Sequence, residues 1–401
     1  MSPNTFLLPS ERRLTGILAF LFTLRMLGLF MVLPVMAWYA DLLPGATPRL
    51  IGLSIGIYGL SQAVFQLPFG QLSDRIGRKP VILLGLVLLI IGSIIAAFSN
   101  TIWGLILGRA LQGSGAIGAT ILALVADTTR ETVRTRAMAI IGICIGGSFV
   151  LAFILGPLID AMFGLSGIFL VTALLAVFAL GLSSGALPKQ EAIVVQSAGK
   201  SAVSFWQLLR QADLLRLNFG IFVLHAALTM SFLFIPLLIA KVTGWEKASL
   251  WRFYLPVLGF AFLFVVPLAR RADQQGLGKG FLCGAMIVFA LAQALLGCVG
   301  LNGWIFVGVM VMFFSTFTLM EALLPAWVSR LAPPTHKGTA MGLFSTAQFL
   351  GIFVGGFLGG ILQQAWGTFW LAFFSVILTL LWVFCATNWQ PSGPIRMVAT
   401  S

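Results

Sequence analysis

Gly70-Gln71-Leu72-Ser73-Asp74-Arg75-Ile76-Gly77-Arg78-Lys79-Pro80 is the stretch that decides how this chain is read. It packs one carboxylate and three cations between two long apolar runs. The glycines allow a sharp reversal, and Pro80 suits the first turn of a following helix, where its missing N–H costs nothing. A charged hairpin clamped between two apolar spans is read here as a functional element, in preference to a solvated loop that only sets topology.

The rest of the chain explains the setting. Of its 401 residues, 59% are hydrophobic and 9% charged, against about 25% charged in soluble domains. The chain is therefore read as an all-α membrane protein. Its net charge of +13 does not point to nucleic acid, because the basic residues cluster in short gaps between apolar runs. There they set orientation and meet anionic headgroups of the lipid bilayer. Cys144, Cys283, Cys298 and Cys385 lie inside apolar segments without ligand-like spacing, so neither a disulfide nor a metal site is expected.

Apolar runs long enough to span a bilayer predict twelve helices, at 14–40, 49–72, 79–98, 101–126, 135–159, 164–187, 214–240, 247–269, 279–299, 302–330, 338–363 and 366–387. One set of gaps holds Arg12, Arg13, Arg75, Arg78, Lys79, Arg130, Arg134, Arg136, Lys189, Lys200, Arg210, Arg216, Arg270, Arg271, Lys279, Arg330, Lys337 and Arg396; the other holds only Arg49, Lys241, Lys247 and Arg252. The first side is read as cytoplasmic, with both termini inside. The polar stretch 188–213 divides the chain into an N-terminal six-helix bundle, 1–187, and a C-terminal one, 214–401. A short amphipathic helix is expected around Phe205–Leu215. The halves echo one another. Pro68, Asp74, Gly77 and Lys79 return as Pro267, Asp273, Gly276 and Lys279, and Ala137-Met138 returns as Ala340-Met341. Two pseudo-symmetric bundles related in this way form a transporter signature, with the substrate site near the midplane between them.

These motifs carry a resemblance to the major facilitator superfamily over essentially the whole chain. Gly70, Leu72, Asp74, Arg75, Gly77, Arg78 and Lys79 look like its signature loop between helices two and three. Arg109-Ala110-Leu111-Gln112-Gly113-Ser114-Gly115 looks like a second family motif on helix four, and Gly156-Pro157 like the core of the helix-five motif associated with antiporters. Leu27-Gly28 with Leu33-Pro34 fits the drug:proton antiporter branch, and within it the chain is similar to YajR-type transporters, without the C-terminal soluble domain that some of those carry. It departs from the antiporter pattern at Leu158, Ile159 and Asp160, where small residues are usual.

Ionisable groups inside a bilayer are costly and ask for a reason. Arg25, Arg109, His225 and Glu321 fall on helices one, four, seven and ten, which the resemblance implies line a central cavity. Glu321 is read as a proton site or as a structural partner of Arg25 or Arg109. His225 can titrate, bind substrate, or be a satisfied core histidine. The resemblance implies proton coupling for Arg109, with Gln112 one turn on; the alternative is an arginine locked onto backbone carbonyls. Arg25 favours neutral or anionic cargo. Gln348 and other amides either line a pathway or tie helices together. Asp74 can pair with Arg78 or face the start of helix eleven near Gly338, and with Asp127, Arg130 and Arg136 it forms an expected cytoplasmic gate.

The reading is a monomeric, proton-coupled exporter of a small molecule in the inner (plasma) membrane, driven by the proton gradient and without a cofactor. Two alternatives stand: a proton-independent or symport carrier of an anionic metabolite, and a non-transporting receptor or scaffold. An enzyme is not expected, because no nucleophile–base set, metal spacing or phosphate loop is present.

Overall fold

The computed structural model describes residues 7–188, 208, 210–274, 279–298, 303–333 and 337–389. The expected linker at 188–213 falls mostly outside these residues, as do Gly276 and the end of the chain.

The described residues are almost wholly helical. The first span is α1 (Pro9–Phe30) followed by α2 (Leu33–Met36) and a short 3₁₀ turn, Ala37–Ala40. Next come α3 (Pro48–Ile76) and α4 (Arg78–Ala97), then a fourth span split into α5 (Ile102–Ser114) and α6 (Gly118–Thr128). After α7 (Glu131–Ala186), the seventh span is α8 (Ala212–Phe232) with α9 (Ile235–Thr243). The rest are α10 (Leu250–Gln274), α11 (Lys279–Gly297), α12 (Gly303–Leu331), α13 (Lys337–Trp366) and α14 (Thr368–Thr387).

Eleven helices among the described residues are long and apolar enough to cross a membrane, and one of them runs 55 residues from Thr132 to Ala186. At 1.5 Å per residue that is roughly 80 Å, far more than the roughly 30 Å of a hydrocarbon core. Gly164, at φ 66° and ψ −171°, turns the chain inside it and makes two spans, so the expected twelve are present. Gly77, at φ 94°, makes the same kind of reversal between α3 and α4, where a side chain would be strained.

The fourth span is broken near its middle and the first and seventh nearer their second ends, which apolar run length did not reveal. Pro34 and Pro236 occupy the first turns of α2 and α9, where a missing N–H costs nothing. In the fourth span Gly115 leaves the helical region, and Gly113 and Gly115 lie against the backbone of Tyr58 and Gly85.

The first six spans and the last six meet along two seams. In the first, α3 and α13 run antiparallel with their backbones in contact: Gly52 and Gly56 face Gly356 and Phe353, Gly59 faces Phe349, and Gly360 faces Pro48 and Arg49. No side chain fits there. In the second, Phe149 and Phe153 of α7 pack against Phe232, Tyr254, Phe314 and Phe317, with Phe153 and Tyr254 ring centroids 5.3 Å apart. Both seams occupy the half of the molecule remote from Gly77. Toward Gly77 the spans diverge, and an added Cβ at Gly142, Gly146, Gly338 or Gly342 would meet nothing within 4 Å. The two-half body is closed at one end and open at the other.

Overpacking a seam costs about 1–3 kcal/mol. Gly356→Leu is therefore expected to lower the unfolding temperature of the purified protein, and Gly342→Leu on the same helix to leave it near wild type. Equal losses in a thermal melt would contradict the seam.

Candidate functional site

Near the middle of the bundle, α12, α13 and α8 bring three polar side chains together. Gln348 Nε2 donates to Glu321 Oε1 at 3.1 Å and lies 2.8 Å from His225 Nε2. Glu321 Oε2 stands 3.6 Å from the same histidine nitrogen and accepts no hydrogen bond. His225 Nδ1 is 3.3 Å from the Ile221 carbonyl, which puts the ring proton on Nδ1 and leaves Nε2 to accept from Gln348. The imidazole is fully buried and edges onto Phe317 at 5.6 Å, whereas the Glu321 side chain keeps 30% of its surface exposed. One carboxylate oxygen is thus bonded and the other is buried without a hydrogen-bond partner, deep in an apolar span. Gln348, which sequence alone left between two roles, is the bridge.

Arg109 belongs to a different network. Its Nε donates to the Ser54 carbonyl at 3.3 Å, and its Nη1 to the Gly28 carbonyl at 3.4 Å and Gln112 Oε1 at 3.0 Å. Gln112 in turn donates to Ser93 Oγ at 2.7 Å, and the guanidinium lies over the Tyr58 ring. Spans one to four are thereby stitched together. Two Arg109 nitrogens are thus held by carbonyls and Gln112, and Nη2 is buried without a partner. Neither Arg109 nor Arg25 pairs with Glu321, whose partners are Gln348 and His225. Arg25 is 2% exposed and sits between the Phe22 and Phe349 rings, 5.0 and 5.6 Å from their centroids.

The charged turn is assembled as expected on one side only. Arg78 pairs with Asp74, bonds Asp127 Oδ2 through Nε at 3.1 Å, and donates from Nη1 to Ser73 Oγ at 2.6 Å. Lys79 donates to the carbonyls of Ser184 at 2.6 Å and Leu187 at 2.9 Å, closing the end of the sixth span; Lys279 does the same to Thr387 at 2.7 Å in the twelfth. The sequence echo between the halves is thus a shared helix-end contact. Asp74 takes Arg78 rather than the start of α13, since Gly338 stands clear. Gly70 and Leu72 lie in the last turns of α3 before the reversal, and Arg75 is exposed beside them. Arg130 clasps Glu11, with Nε to Oε1 at 2.9 Å and Nη2 to Oε2 at 3.0 Å. Arg136 is exposed near the start of α7.

A second cluster escaped the sequence. At the closed end Tyr39 donates to Asp160, Lys247 lies 2.8 Å from the other Asp160 oxygen, and Lys247 also donates to the Tyr39 oxygen at 3.1 Å. The Asp160 side chain is completely buried. Tyr39 and Asp160 belong to the first half and Lys247 to the second, so the three form a latch across the closed end. Gly156, one turn before Asp160, packs on the Met31 carbonyl at the break of the first span. Asp160 was visible only as a departure from a small-residue pattern after Pro157.

A sequence profile described as Major Facilitator Superfamily matches residues 18–355. The chain is 46% identical over 349 residues to the inner membrane transport protein YajR of Escherichia coli K12, covering 87% of this chain and 77% of that protein. A 114-residue stretch, 28% of this chain and 27% of the relative, is 39% identical to the class B tetracycline resistance protein of Escherichia coli. Among solved structures, a D-xylose-proton symporter superposes with a TM-score of 0.76 at 14% identity, over 96% of this chain and 98% of the other. Profile, full-length relative and shared fold agree: this chain belongs to the Major Facilitator Superfamily and is one of its transporters rather than an enzyme.

Proposed function

We propose that the chain exports a small molecule across the inner membrane in exchange for protons, with the Gly77 turn and both termini on the cytoplasmic side. The orientation rests on the excess of Lys and Arg at that end. The proton coupling rests on one observation, the Glu321–Gln348–His225 cluster. Gln348 currently serves both the carboxylate and the imidazole. A proton arriving on Glu321 Oε2 turns that oxygen into a donor toward His225 Nε2, 3.6 Å away. In its ionised form that same oxygen is open to a hydrogen-bond donor of the cargo, so proton and cargo compete for Glu321 Oε2. One charge crossing 100 mV is worth about 2.3 kcal/mol, enough to drive useful accumulation.

The conformation with its open end at Gly77 is then the inward-open state. The Tyr39–Asp160–Lys247 latch and the α3–α13 seam are its outer gate. Release of that gate, with Arg78 and Asp74 closing on α13, gives the outward-open state.

Two outcomes are expected. In proteoliposomes carrying a pH gradient, a panel of neutral, anionic and cationic compounds contains members that release protons through the wild type and not through Glu321→Gln. Proton release undiminished in that variant would remove Glu321 from the mechanism. For the latch, losing Lys247 strands a buried carboxylate, whereas losing Asp160 leaves a lysine that reaches water; breaking a buried pair costs about 3–5 kcal/mol. Lys247→Met should therefore speed maleimide labelling of a cysteine placed at buried Val35, in a background lacking the four native cysteines, more than Asp160→Asn does. Identical labelling in all three proteins would show that the latch holds nothing.

A further inference from the structure

We propose that Arg25 and the start of α6 form a binding site for a small anionic group, a carboxylate carried by the transported molecule. The Arg25 guanidinium is buried, yet its Nε and Nη1 have no hydrogen-bond partner. A buried cation left in this state is costly unless something complements it. What the guanidinium faces makes the deficit larger. It lies against Gly118, where an added Cβ would stand 2.6 Å from Nη1. Gly118 opens α6, and Ile117 before it supplies no side-chain cap. The first amides of a helix have no preceding turn to accept them and carry its positive end, roughly +0.5 charge. A guanidinium and a helix start thus meet, both able to donate. Glu321, the carboxylate of the central cluster, is engaged on the other half of the molecule.

An oxyanion satisfies both at once. The walls describe the rest of the ligand. Phe22 and Phe349 flank the guanidinium from opposite halves, so the site suits a carboxylate attached to a flat apolar body. Phe349 also directly follows Gln348 in α13. A ligand that separates Phe349 from Arg25 moves the backbone that carries the bridge between Glu321 and His225. The site accordingly couples anion binding in one half to the proton cluster in the other. It rests on the transporter reading, and stands independently of proton coupling.

The test uses the full chain in lipid nanodiscs and three probes: 1-naphthoate, its neutral isostere 1-naphthamide, and chloride. Naphthoate is expected to bind the wild type at least about tenfold more tightly than the amide, the scale of a charged hydrogen bond. Arg25→Gln should remove that preference and leave amide binding as it was, and Arg25→Lys should recover part of it. Equal binding of acid and amide by the wild type, or an undiminished preference in Arg25→Gln, would overturn the site. Stabilisation by chloride without naphthoate binding would mark a resident counter-ion and overturn the assignment to cargo. If Arg25→Gln does not fold, Gly118→Ala carries the test, because its Cβ would crowd the guanidinium: a weakened acid-over-amide preference supports the site, and an unchanged one overturns it. Proton release is read separately in proteoliposomes. Naphthoate uptake without proton movement would defeat the antiport reading and leave the anion site standing.

Discussion

The contact on which the rest of the structure depends is the meeting of two backbones, α3 and α13, with glycine on both sides. Side chains resist approach at that distance, so only Gly52, Gly56, Gly59, Gly356 and Gly360 let the halves touch there. In a bilayer the hydrophobic effect gives helices little reason to associate, and close packing of small residues takes over. Because the glycines lie in one half of each helix, the halves join at one end and part at the other. The aromatic packing of α7 against α10 and α12 and the buried Asp160–Lys247 pair close that same end. A body so built rocks instead of swelling, since its seams are tight contacts that hold or release as units.

The polar interior is divided between the halves. The first half holds Arg109, tied to four spans through carbonyls and Gln112, and Arg25, tied to nothing by hydrogen bonds through Nε or Nη1. The second half holds the acid, the imidazole and the bridging amide. One arginine is bonded across the first four spans through Nε and Nη1, while the other has neither of those nitrogens bonded. The two chemistries meet at adjacent positions of α13, Gln348 and Phe349, on the helix that also forms the main seam. On the proposal made above, movement of α13 carries binding in one half to the other.

Much of the fold was legible in the chain. Long apolar runs gave the spans, and the Lys79–Lys279 echo proved to be the same helix-end contact made twice. The Gly70–Lys79 turn was also readable, because Asp74, Ser73 and Arg78 are near neighbours along one helix end. What stayed hidden depends on partners far apart in sequence. Asp160 meets Tyr39 and Lys247 only once the halves close, and Arg130 finds Glu11 across the bundle. Run length also cannot see a break inside an apolar stretch, so the interruptions at Gly115 and before α2 and α9 were missed. The role of Arg109 turned on which carbonyls lay near it, which composition does not encode.

The central claim is that the two ends open in alternation about the α3–α13 seam. Distances between spin labels test it most directly, with one pair at Leu42 and Trp366 on the closed end and another at Thr132 and Gly338 on the open end. As the pH is lowered or cargo is added in nanodiscs, the first distance should lengthen while the second shortens. Distances that change together, or only at one end, would contradict the account.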